Sequence, residues 1–126
     1  MKGNKEINIK FIDGDEQRYK TCGDYWETET SIEIRITKQV EDKRNLLVML
    51  HEIVEYALCS NRNINEEDIT KYDLEWEDRL EPKADEPGNE SDCIYKIEHR
   101  IAENFERQFA EYLNIDWFDY ENNLKI

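Results

Sequence analysis

The sequence predicts a single α+β domain over residues 1–126, a small N-terminal antiparallel sheet of three or four strands packed against about three helices. Three observations carry that expectation. Residues 1–40 contain runs that alternate apolar and polar positions, the period of a half-buried strand. Residues 43–60, 66–81 and 92–113 instead repeat their apolar positions at helical spacing. The strands come first and the helices after, so the two kinds of element are segregated rather than interleaved.

In order along the chain, Ile7, Ile9 and Phe11 alternate with polar residues and predict a first strand. Asp13-Gly14 then carries the turn chemistry of a tight hairpin. Gln17 to Cys22 alternates more weakly, Gly23-Asp24 breaks the pattern, and Tyr25-Trp26 opens a short strand or loop. Ser31 to Thr37 alternates cleanly, with Ile32, Ile34 and Ile36 on one side. Together these make a meander with one wet face. Asp42 is placed to cap the helix over 43–60, whose face Leu46, Leu50, Ile53, Val54 and Ala57 is the expected core side. Asn65 caps the helix over 66–81, which carries the stripe Ile69, Tyr72, Trp76 and Leu80 and stops before Pro82. Residues 83–92 form a loop, and the helix over 92–113 shows a broad apolar face of Ile94, Ile97, Ile101, Phe105, Phe109 and Tyr112. Tyr95, His99, Ala102 and Glu106 form a second stripe beside it, and Asp116-Trp117 starts a short last helix or turn.

Composition narrows the function. A chain of 126 residues buries roughly two-thirds of its unfolded surface, enough for a core without staples. A net charge of −14 argues against nucleic acid or an anionic membrane as partner and favours cations or a basic protein. Cys22, Cys59 and Cys93 are odd in number and widely spaced, which reads as reduced thiols in a cytoplasmic protein. The N-terminus leads into no apolar leader segment, and no run approaches the ~18 apolar residues of a membrane span.

The chemistry concentrates at His51-Glu52-Ile53-Val54-Glu55. His51 and Glu55 stand one helical turn apart, so both can reach one point in space, as paired metal ligands do. Glu52 is directed about 100° further round and is placed as a general base. His99 is the only other histidine, with Glu103 and Glu106 at i+4 and i+7. Side-by-side packing of the helices at 43–60 and 92–113 would assemble His51, Glu55, His99 and one carboxylate, Glu106. That donor set suits a divalent metal ion: zinc, manganese or iron, with zinc first. The same residues also fit an inert hydrogen-bonded His–Glu network. Asp73 and Glu98 fall on apolar faces and are expected at a face edge, half-exposed, or else paired. Cys59, roughly 12 Å along the axis from His51, is expected to be a core thiol.

A short sheet, an isoleucine-rich strand and then a helix carrying Leu50-His51-Glu52-Ile53-Val54-Glu55 resemble the minimal core of the zincin metallopeptidases, with a degenerate His-Glu-x-x-Glu motif. The resemblance implies that His51 is a metal ligand, that Glu52 activates water on the metal, and that the strand before the helix edges a peptide-binding cleft. Glu55 stands where the family has a second histidine, making the site harder and more anionic. From about residue 46 to 121, the chain is also similar to short uncharacterised proteins encoded by phages and prophages. The residues of that likeness include Glu86-Pro87-Gly88, Tyr95, His99 and Asp116-Trp117. It would place the protein in the host cytoplasm.

Two function classes follow. One is a metal-binding protein of zincin-like type, a metal-dependent hydrolase or an inactive descendant, acting on a peptide. The other is an acidic, non-enzymatic interaction protein that binds a basic host protein or mimics nucleic-acid phosphates.

Overall fold

In a computed structural model, residues 4–126 are described, and residues 1–3 of the expected strand region lie outside the described residues. The elements are β1 (Glu6–Ile12), β2 (Gly23–Glu27), β3 (Ser31–Thr37), α1 (Asp42–Asn61), α2 (Glu66–Glu77), α3 (Lys96–Tyr112) and α4 (Trp117–Asn122), with single 3-10 turns at Gly14–Glu16 and Pro87–Asn89. The architecture is a small α+β fold, as the segregation of strand and helix patterns predicts.

The sheet has three strands in the order β1-β3-β2. β2 runs antiparallel to β3, with Tyr25 opposite Ile34, but β1 pairs with β3 in parallel, with Ile9 opposite Ile34. The expected all-antiparallel meander and its Asp13-Gly14 hairpin are therefore corrected. Asp13 and Glu16 form a capping box on the 3-10 turn instead, and the chain crosses to the far edge of β3. Ile7, Ile9 and Phe11 thereby lie in register with Ile32, Ile34 and Ile36 on one face. Those three β3 isoleucines are essentially inaccessible. The weakly alternating 17–22 stretch is irregular, and β2 starts at Gly23, the residue expected to break a strand. Its reason is steric, because a Cβ on Gly23 would sit 2.4 Å from Glu52 Oε1 of α1. On the wet face Trp26 lies between the guanidiniums of Arg18 and Arg35, at 4.3 and 5.2 Å.

α1 lies on the isoleucine face and α3 packs on α1, while α2 touches the sheet only at β2. α1 and α3 are antiparallel, since Arg62 meets Glu98 while His51 meets Glu106. Both helices face the opposite way from their apolar patterns. α1 buries Leu47, Val48, His51, Glu52, Glu55 and Cys59, whereas Leu46 is 48% exposed. α3 buries Glu98, His99, Ala102, Glu106 and Ala110 and turns Ile97, Ile101, Phe105 and Phe109 outward, each 37–50% exposed, and Ile94 in the turn before it is 42% exposed. The physical reason is pairing. Burying a charge is tolerated where it meets an opposite charge with hydrogen bonds, and the polar stripes of the two helices satisfy each other. Ala102 and Ala110 keep α3's inner face thin.

Helix ends also shift. Asn65 caps α2 by accepting from Glu67 N at 2.8 Å. The helix stops at Glu77, where Lys83 Nζ donates to the carbonyls of Trp76 and Glu77 at 3.1 and 3.2 Å. Leu80 is left outside the stripe, 89% exposed. α3 begins at Lys96 rather than near 92 because residues 91–95 form turns. Asp116 caps α4, accepting from Asp119 N at 2.9 Å. Among the described residues no helix is long and apolar enough to cross a membrane.

Candidate metal centre

The one-turn spacing on α1 and the antiparallel approach of α3 bring two histidines between carboxylates. Glu55 Oε2 accepts from His51 Nε2 at 3.0 Å and from His99 Nδ1 at 3.1 Å. Its other oxygen accepts from the Tyr25 hydroxyl of β2 at 3.1 Å. On the far side of its ring, His51 Nδ1 donates to Glu106 Oε1 at 2.7 Å, and the second Glu106 oxygen accepts from the Tyr120 hydroxyl of α4. The two imidazole centroids are 4.8 Å apart, inclined at 61°. His99 Nε2 lies 2.6 Å from Glu86 Oε1 and 3.8 Å from Glu103 Oε2. It is aligned with neither, and this buried nitrogen has no hydrogen-bond partner among the described residues.

Two glycines shape the surroundings. A Cβ on Gly88, in the Pro87–Asn89 turn, would sit 2.4 Å from His99 Cγ, so the turn can press on the ring only as glycine. Gly23 makes the same allowance for Glu52. Between β2, α1, the 85–88 segment, α3 and α4 lies a cavity of about 140 Å³. Glu52 forms part of its wall while remaining only 6% exposed.

Electrostatics follow from burial and pairing. Burial alone would lower the basicity of His51, but the bonds to Glu106 and Glu55 override it and hold its pKa well above the usual value. The same contest, with Glu55 and Glu86 winning over burial, raises His99 to about 10. Glu55 is drawn down to about 2, its burial outweighed by the two histidines that donate to it. Glu52 is pushed well above the carboxylate range by burial first and by the charge of Glu55 second. One residue of each kind is thus set apart: Glu55 as a fixed anion and Glu52 as a carboxyl that holds its proton.

Of the residues expected to form the site, His51, Glu55 and His99 come together, with one donor atom from each lying within 4.8 Å of the others. Glu106 reaches the cluster from behind, on Nδ1 of His51, and Glu52 lines the cavity beside it. A second grouping on the same histidine is Glu86, His99 and Glu103. Asp73 and Glu98 are buried rather than half-exposed. Asp73 accepts from the hydroxyls of Tyr95 and Tyr19 at 2.7 and 3.0 Å, and Glu98 pairs with Arg62 through two bonds of 2.7 and 2.9 Å. Cys59 is a buried thiol, as expected, 3.6 Å from the Tyr25 hydroxyl. The strand in the cavity wall is β2, while β3, which precedes α1, is central. Sequence reasoning gave no role to Gly23, Tyr25, Gly88 or Tyr120. The one available signal was Glu86-Pro87-Gly88, a turn sequence alone in an acidic loop.

The donor set fits a divalent cation. It offers two imidazoles and a carboxylate at mutual distances near those of ligands sharing one ion, and an orphaned buried nitrogen beside a carboxylate. Glu106 on His51 and Tyr25 on Glu55 are the outer partners that orient such ligands. Fold and site together define a small α+β protein built around a buried cluster of two histidines and carboxylates. Comparison of the chain with family models, curated proteins and solved structures gave no match.

Proposed function

We propose that this chain is a zincin-like metal-binding protein that holds one divalent ion, zinc first, through His51, Glu55 and His99, and that metal-dependent hydrolysis of a peptide-like substrate is the activity its site supports best. The observation that carries the reading is the convergence of these three residues, whose donor atoms all lie within 4.8 Å of one another. Glu106, fixed by Tyr120, orients His51 through Nδ1, and Tyr25 fixes Glu55. A bound ion would supply Lewis acidity at the cavity wall. We assign Glu52 as the group that takes and returns a proton there, its pKa raised by burial and by the charge of Glu55. Carboxylates line the cavity, so a cationic or neutral peptide segment fits it better than an anionic one. We place the protein in the cytoplasm, the host's if phage-encoded.

Metal analysis of protein purified without a histidine tag tests the reading. About one equivalent of metal is expected, reduced to background in His51→Ala. Less than a tenth of an equivalent in the wild type, unchanged by the substitution, would end it.

A further inference from the structure

The outer face of the α1–α3 layer has no part in the metal site. Ile94, in the turn before α3, and Ile97, Ile101, Phe105 and Phe109 on it recur every three or four residues, and all are 37–50% exposed. Tyr112 continues the line at 86%. On the neighbouring α1, Leu46 is 48% exposed and Leu50, Ile53 and Val54 are half-buried. They lie on the helix side opposite the buried Glu55 and Cys59, one turn after another. The helices are antiparallel neighbours, and we take their two outward stripes together as one apolar platform. The exposed parts of its large side chains amount to on the order of 600–700 Å², taking about 200 Å² for a full large side chain. That exceeds the ~300–600 Å² of the largest patch on an ordinary monomer and approaches the ~800 Å² per partner of a standard interface.

We propose that this platform is the interface of a homodimer, closed by the α1–α3 face of a second copy into a four-helix layer. Charge placement selects that occupant. The chain carries 31 acidic residues, yet position 94, the α3 positions 97, 101, 104, 105, 108, 109 and 112 and the α1 positions 46, 50, 53, 54, 57 and 61 include none. A protein of charge −14 can approach its own copy only where its acids are absent. An antiparallel helix pair is also suited to a two-fold axis, because each helix of one copy can lie across its counterpart in the other.

Sedimentation velocity on the full chain at 5–200 µM (roughly the range in which an interface of this size associates) reads the result. The expected mass is twice the 15.3 kDa of the chain. Phe105→Glu and, separately, Ile101→Lys each return the mass to one chain with unchanged circular dichroism. Both sites are exposed, so neither change disturbs the core, and the second variant stands in if the first fails to fold. A wild type that is monomeric throughout the range overturns the proposal, whether or not it is later found with a different protein on this face. A dimer that survives both substitutions overturns it too, because its interface is then elsewhere.

Discussion

Gly88→Ala tests whether the Pro87–Asn89 turn positions His99 for metal. The added Cβ would stand 2.4, 2.5 and 2.6 Å from Cγ, Nδ1 and Cδ2 of the ring, where ordinary contact begins near 3.4 Å. Ring or turn must therefore yield by about 1 Å. Ligand distances tolerate only about 0.2 Å, so the imidazole loses its alignment with His51 and Glu55 although every donor is still present. Disturbing a ligand's orientation in this way costs about 10–100-fold in metal affinity, and overpacking costs about 1–3 kcal/mol of stability in the metal-free protein. Competition with a chromophoric zinc chelator reads the first quantity and urea unfolding of the metal-free protein reads the second. Asn89→Ala, at an exposed position in the same turn, is the control and should stay within about twofold of wild type in affinity. The reasoning is refuted if Gly88→Ala binds zinc within that same margin and unfolds at the wild-type urea concentration.

Two further outcomes follow from the buried carboxyls. Glu52→Gln should keep the metal content of the wild type and lower peptide hydrolysis by about 10²–10⁴-fold; equal turnover in the two proteins would remove Glu52 from the chemistry. Asp73 is raised from 3.8 to about 6, first by burial, with its tyrosine hydrogen bonds opposing the shift. Its protonated form is thus favoured on folding, so its stabilising contribution is complete below about pH 4 and lost as pH rises through about 6. Urea unfolding of Asp73→Asn against wild type should therefore show a stability difference moving by about 3 kcal/mol in the variant's favour between pH 4 and pH 7, and parallel pH curves would contradict it.

Much of the fold was legible because its signals are local. The period-two run at Ile32, Ile34 and Ile36 and the cap at Asn65 depend only on neighbouring residues, and each stands where local chemistry puts it, whereas the expected cap Asp42 is instead the first residue of α1, with Glu41 before it. The pairing of β1 was not legible, since register and direction depend on which edge of β3 is free. Gly23 misled for a related reason: glycine breaks an isolated strand, but here it admits Glu52 from a helix 29 residues away in sequence. In the candidate site, the pair His51 and Glu55 follows from spacing on one helix. The contribution of His99 needed α3 to pack antiparallel on α1, and those of Tyr25, Glu86 and Tyr120 come from elements that no spacing rule connects.

By itself the sequence determined the class of fold, the places of most elements and the residue types available for chemistry, because periodicity and capping are properties of short segments. Only the tertiary structure decided which face of each long helix is inside. Apolar patterning alone puts Leu46, Ile101 and Phe105 in the core. Yet the polar stripes can be buried because they meet as complementary partners, His51 with Glu106, His99 with Glu55 and Arg62 with Glu98. That complementarity exists only between helices, and so it does not show in the pattern of either one.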